Sequence, residues 1–152
     1  MAVKNLLATL FDQPSGAKLR EDIARCAQVI HQNPQESLIP DVAFSIVGIN
    51  PHMPEIPDRY VMEKELYYFE KCSQATRNFH EREFTQAIDL LMKAKGDFDH
   101  WALAHYLLGL GDFEWRDVKA ALDQFNTACM NEPYNGRPME IMRELTYAIL
   151  MN

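Results

Sequence analysis

The sequence predicts an all-α fold: a short superhelical array of antiparallel helix hairpins, with N-terminal helices and a C-terminal capping helix. Two observations predict it. Apolar residues recur every three or four positions along much of the chain, which is the period of a helix with one buried face. The second half also repeats: an offset of 34 residues superposes Phe79 on Phe113 and Ala87 on Ala121. A fixed period of this size is typical of stacked helix hairpins, which bury their apolar faces against one another.

The length of 152 residues favours a single domain, 1–152. Its first part contains an opening helix within Met1–Asp12 and a second helix with Leu19, Ile23 and Ile30 on one face. The sequence divides the domain into N-terminal helices (1–34), a Pro-rich connecting segment (35–58), two hairpins (59–135) and a capping helix (136–152).

The connecting segment differs in kind from the rest of the chain. It contains Pro40, Pro51, Pro54 and Pro57, so residues 50–58 are expected to be extended or turning. For residues 42–47 we favour a short helix over a strand, because a lone strand would have no sheet to join.

From residue 59 onward the pattern predicts one helix after another. The first hairpin is expected to contain Arg59–His80 and Glu83–Ala94, with a break at Gly96-Asp97. The second is expected to contain His100–Phe113 and Asp117–Asn131, with Asp117 as the N-cap. A last helix follows over Met139–Leu150.

Small residues and large apolar residues alternate at corresponding positions of the two hairpins. The small ones are Ala75, Ala87 and Ala94, then Gly109, Ala121 and Ala128; the large ones are Leu91 and Phe125. In this pattern, completed by Pro133, residues 60–150 resemble the tetratricopeptide repeat (TPR), so the resemblance implies a TPR-like array. The sequence departs from the family at Gln74, where leucine is usual, and at Asp99, where proline is usual. A plain helix bundle is the alternative interpretation.

The resemblance implies that the first helix of each hairpin lines a concave, partner-binding groove. The predicted groove residues are Phe69, Cys72, Thr76, Phe79, Leu103, Tyr106, Leu110, Phe113, Glu144 and Tyr147. The groove is mostly apolar, and it lacks the Lys and Asn residues with which family members hold a C-terminal carboxylate. On this interpretation, the double substitution Tyr106→Ala with Phe113→Ala should leave the fold intact and abolish binding.

Two occupants of such a groove are compatible with the sequence. In one interpretation a segment of a partner protein lies there, because aromatic side chains anchor interfaces of this kind. In the other, the protein's own segment Val42–Pro57 folds back and fills it. Both hold if binding displaces the internal segment.

Composition excludes several classes of function. The net charge is −7 with no long run of Lys or Arg, which argues against nucleic acid and anionic membranes as partners. No window approaches the length of a membrane span, so no direct membrane insertion is expected. Three widely spaced cysteines favour a reducing compartment, and we predict a cytoplasmic location.

The search for chemistry in the sequence gives no catalytic residues, no metal site and no cofactor motif. His100 and His105 are five residues apart, not the four that place two imidazoles on one helix face. We therefore predict a non-enzymatic protein–protein interaction module, an adaptor or assembly subunit. The alternative is a cytoplasmic chaperone for a secreted or aggregation-prone client. A homodimer is a further expectation, since short arrays often cover an end hairpin by pairing.

Overall fold

The computed structural model describes residues 3–34, 38–40, 43, 70–72, 74–79, 81–97, 102–131 and 136–151. Within these ranges the regular secondary structure is helical, without strands, which confirms the predicted all-α class. The helices are α1 (Val3–Phe11), α2 (Ala17–Gln32), α3 (Phe84–Asp97), α4 (Ala102–Glu114), α5 (Val118–Asn131) and α6 (Gly136–Met151). Residues 70–72 and 74–79, which precede α3 along the chain, are also helical.

The observed helix ends agree with the sequence at one predicted position and correct it at another. Asp117 is the N-cap of α5, because its Oδ1 accepts a hydrogen bond from the N–H of Ala120 at 3.3 Å. The predicted break at Gly96-Asp97 is wrong, since α3 continues to Asp97. A glycine costs about 1 kcal/mol relative to alanine inside a helix, but it keeps its N–H and so does not interrupt the hydrogen bonding.

The turn before α3 closes the preceding helix with a left-handed residue. Arg82 has φ 62°, and its N–H donates to the carbonyl of Phe79 at 3.1 Å. The N–H of Glu83 donates to the carbonyl of Asn78 at 2.7 Å. This pair of bonds is the Schellman motif, which satisfies the last carbonyls of a helix and usually has glycine in the left-handed position.

The turn between α4 and α5 has the same geometry 34 residues later. Arg116 has φ 66°, and its N–H donates to Phe113 at 3.0 Å, while the N–H of Asp117 donates to Asp112 at 2.9 Å. The repeat seen in the sequence is therefore also a repeat of backbone conformation at these two turns.

Close packing between α4 and α5 depends on Gly109. A Cβ atom added there would lie 2.6 Å from Cε1 of Phe125, too close for any real contact. The fully buried Phe125 ring fills the space, with its centroid 5.9 Å from that of Tyr106. At the corresponding positions of the first hairpin, Ala75 and Leu91 are both fully buried.

The last helix lies inside the array of packed helices. α6 packs against α5, as a capping helix would, but it also packs against α2 and α1. The N-terminal helices thus cover the surface that α6 would otherwise expose. The predicted capping role of 136–152 is incomplete, because α6 is itself covered.

Candidate functional site

The candidate site is the surface of α4 that the sequence predicts to line the groove. Tyr106, Leu110 and Phe113 lie on this surface, and all three are fully buried. Every residue from Ala104 to Gly111 is buried, on all sides of the helix. A helix that is enclosed all round is a core helix, whereas a groove-lining helix would keep one exposed stripe. In this structure the predicted groove surface of α4 is therefore covered.

Residues from the connecting segment cover one end of this surface. Leu38 is almost completely buried, and Ile39, Pro40 and Ala43 are buried as well. We call these four residues the inserted segment. Pro40 and Ala43 belong to the part of the chain that the sequence offers as an internal occupant of the groove. Residues 44–57, the remainder of that predicted occupant, lie outside the described residues, as does most of the helix favoured over 42–47.

Glu114, the last residue of α4, holds the inserted segment by its backbone. The Glu114 carboxylate accepts hydrogen bonds from the N–H of Leu38, at 3.3 Å to Oε1 and 3.1 Å to Oε2. Its Oε2 also accepts from the N–H of Ile39 at 3.0 Å. A carboxylate is acceptor-only when ionised, so it matches two adjacent amide donors without using any side chain of the segment.

Tyr106 makes a second backbone contact near the middle of α4. Its hydroxyl donates to the carbonyl of Ala43 at 2.9 Å in a fully buried environment. Burial strongly raises the pKa of this phenol, so the group is a neutral hydrogen-bond donor. Tyr106 and Glu114 together bind the inserted segment through one carbonyl and two N–H groups.

Arg116, in the turn after α4, contacts the end of α2 from which the connecting segment departs. Its guanidinium donates from Nη1 to the carbonyl of Ile30 at 3.2 Å and from Nη2 to the carbonyl of Asn33 at 2.8 Å. Carbonyls at a helix C-terminus lack partners inside the helix, and a cation is favourable there. The side chain thus fixes the start of the connecting segment beside α4.

The structure separates the predicted groove residues into three groups. Cys72, Phe79, Tyr106, Leu110 and Phe113 are buried; Thr76 and Leu103 are partly buried; Glu144 and Tyr147 are exposed; Phe69 lies outside the described residues. The expectation of an open apolar groove is therefore wrong for the five buried residues. The physical reason is that their apolar side chains are covered from within the chain, on α4 partly by the inserted segment.

The sequence interpretation missed Glu114 and Arg116, the residues that make most of the backbone contacts. Neither belongs to the repeat pattern, because the corresponding residue of Glu114 in the first hairpin is His80, with no acid. Arg116 does repeat, at Arg82, so an unusual arginine conserved between two turns of one chain was the available signal.

The thiols of the described residues are poorly suited to catalysis. Cys26, Cys72 and Cys129 are free, and the first two are buried. Burial raises the pKa of Cys26 to about 11 and also raises the pKa of Cys129. A reactive cysteine needs a lowered pKa and solvent access, and no described thiol combines them. Among the described residues, no cluster of His, Cys, Asp and Glu could hold a metal ion.

Comparison with known proteins adds no family. No protein-family model matches the chain, and neither the curated proteins nor the solved structures give a match. Within the described part of the chain, every helix is too short or too polar to cross a membrane.

Proposed function

We propose that the chain is a non-enzymatic protein–protein interaction module, an adaptor or assembly subunit, that binds an extended segment of a partner protein on the α4 surface. One observation carries this proposal: α4 holds the inserted segment through backbone atoms, at Glu114 and Tyr106. Main-chain hydrogen bonds combined with apolar pockets are how many proteins recognise peptide segments. A surface that holds one such segment has the chemistry to hold another.

The repeat supports a TPR-like arrangement as part of the same proposal. The two turns share their hydrogen bonds and their left-handed arginines at the 34-residue period. In such an array α4 belongs to the concave side, where a partner segment would bind. We propose a cytoplasmic location as well, because all three cysteines are free thiols.

A chaperone for an aggregation-prone client is the second candidate, and a separate surface favours it. Several large apolar side chains are exposed, most of them methionines, on α3, α5 and α6: Ile88, Met92, Met130, Tyr147, Leu150 and Met151. Methionine adapts to varied apolar partners, which suits a chaperone surface or the face of a homodimer.

A selection from a displayed library of random peptides tests the two candidates against each other. We expect wild-type protein to enrich peptides with adjacent apolar residues, and we expect these peptides to lose binding to the Glu114→Ala variant. The matched control is Glu21→Ala, at an exposed acid of α2. Enriched peptides that bind Glu114→Ala as well as wild type would contradict the α4 surface. If those peptides instead lost binding to Met92→Ser with Met130→Ser, the exposed methionine surface would be the binding site.

A further inference from the structure

We infer that the inserted segment is a built-in competitor: it occupies in the free protein the α4 surface that takes a partner segment, and the partner must imitate its chemistry. This inference rests on the function proposed above. It adds the identity of the occupant in the free state and the class of segment that displaces it.

The chemistry of the partner segment follows from the groups that hold the internal one. Glu114 accepts from two consecutive N–H groups, so neither of the two matching residues is a proline, which has no N–H. Both matching side chains are apolar, as Leu38 and Ile39 are buried. An acidic residue beside them would face the Glu114 carboxylate in a chain of net charge −7. The partner therefore offers an uncharged pair of adjacent apolar residues in an extended backbone.

The inserted segment is held in a way that allows it to leave while the helices stay folded. Residues 38–40 have no regular secondary structure, and the N–H groups of Leu38 and Ile39 both bond to one carboxylate. Losing the Glu114 contact therefore frees two donors in one step. Segments with few backbone bonds of their own open locally at less free energy than global unfolding requires.

An internal competitor weakens binding by a calculable route. A tethered segment has an effective concentration in the millimolar range for a short flexible linker. The apparent affinity for a partner falls by the fraction of molecules in which the surface is open. Releasing the segment should therefore tighten binding by at least about tenfold.

The test uses a fluorescein-labelled peptide with the sequence of residues 36–45, ESLIPDVAFS, and fluorescence anisotropy with the full chain. Release comes from Leu38→Pro with Ile39→Pro, which removes both N–H donors and leaves the α4 surface intact. A second release variant, Leu38→Asp with Ile39→Asp, disfavours burial by charge. We expect both variants to keep their helical circular dichroism and to bind the peptide at least about tenfold more tightly than wild type.

Two controls make the result specific. The Glu114→Ala variant also loses the internal contact, but we expect no gain in peptide binding, because it lacks the acceptor. A peptide with prolines in place of the adjacent Leu and Ile should bind neither release variant.

The outcomes separate this inference from the proposed function. Equal binding to wild type and to the release variants would leave the α4 surface as a peptide site and overturn the internal competitor. Folded release variants that fail to bind the peptide would overturn the proposed function together with the inference. Loss of helical signal in both release variants would show that the inserted segment is permanent core, which also overturns the inference. A dimer that forms in wild type and is lost in both release variants would make a second copy the occupant, and no separate partner would be required.

Discussion

The two hairpins have the same backbone plan, but they use different side chains at the same positions. Positions 34 residues apart pair Cys72 with Tyr106, Ala75 with Gly109, Asn78 with Asp112, Arg82 with Arg116 and Leu91 with Phe125. The turns that end the first helix of each hairpin have matching hydrogen bonds. Only the second hairpin has described contacts with the inserted segment and the end of α2, through Tyr106, Glu114 and Arg116. The shared positions build the fold, and the differing positions of the second hairpin build its contact surface.

The largest expected difference between the hairpins is at the pair Cys72 and Tyr106. Tyr106→Ala removes a fully buried ring and its hydrogen bond to Ala43, so we expect a loss of about 3–5 kcal/mol in the free energy of unfolding. Cys72→Ala removes one buried sulfur and should cost about 1 kcal/mol. Urea denaturation measures both. This reverses the expectation from the sequence that the fold tolerates Tyr106→Ala with Phe113→Ala. If that double variant unfolded like wild type, the buried assignment of α4 would be wrong.

The next largest effect tests the close packing of the second hairpin. Gly109→Ala should lower the free energy of unfolding by about 1–3 kcal/mol, because the new Cβ would overlap the Phe125 ring. Adding Phe125→Leu recreates the alanine–leucine combination of the first hairpin and should restore part of the loss. A double-mutant cycle in urea gives the coupling between the two sites. Strictly additive losses would show that the ring does not limit the space at Gly109.

The two left-handed arginines should respond to glycine in different ways. Glycine relieves the strain at φ 62° or 66°, which favours the folded state by about 1 kcal/mol. Arg82→Gly loses the guanidinium 5.5 Å from the Phe84 ring centroid, so the net change should stay within about 0.5 kcal/mol. Arg116→Gly loses two bonds to carbonyls at the end of α2 and should destabilise by about 1–2 kcal/mol. Thermal denaturation of the two variants in parallel is the measurement. Equal shifts would mean that Arg116 does not fix α2.

The smallest expected effect depends on pH and compares Asp112 with Asn78. Burial, aided by the Asp117 carboxylate, raises the pKa of Asp112 from 3.8 to about 6. The folded state then binds more protons than the unfolded state between about pH 4 and 6, so stability falls as the pH rises through this window. Asp112→Asn, which copies the first hairpin, should stabilise by about 1 kcal/mol at pH 7 after solvent screening is allowed for.

Chemical denaturation at several pH values checks this sign. The stabilisation by Asp112→Asn should disappear below about pH 4, where the wild-type carboxyl group is protonated in both states. A stabilisation that persists at low pH would assign the effect to the amide itself.

The sequence predicted the helical class and several helix positions, because these depend on local patterns. The recurrence of Leu19, Ile23 and Ile30 on one face of α2, and the cap at Asp117, are properties of a few adjacent residues. The site was predicted only in part. Tyr106 was correctly placed on the inner surface of α4, but its exposure depends on Ala43, which is 63 residues away. No periodic pattern encodes a contact of that range, and Glu114 acts on the backbone of residues whose identity it does not specify.

The most direct test of the account is native-state amide hydrogen exchange on the wild-type protein, read at Leu38 and Ile39 and compared with Leu107 and Leu110 of α4. The account predicts that Leu38 and Ile39 exchange together, at a free energy of opening clearly below that of the two α4 residues, because both depend on Glu114. Exchange of all four amides at the same free energy would show that the inserted segment leaves only on global unfolding, and would contradict a surface that can open to a partner.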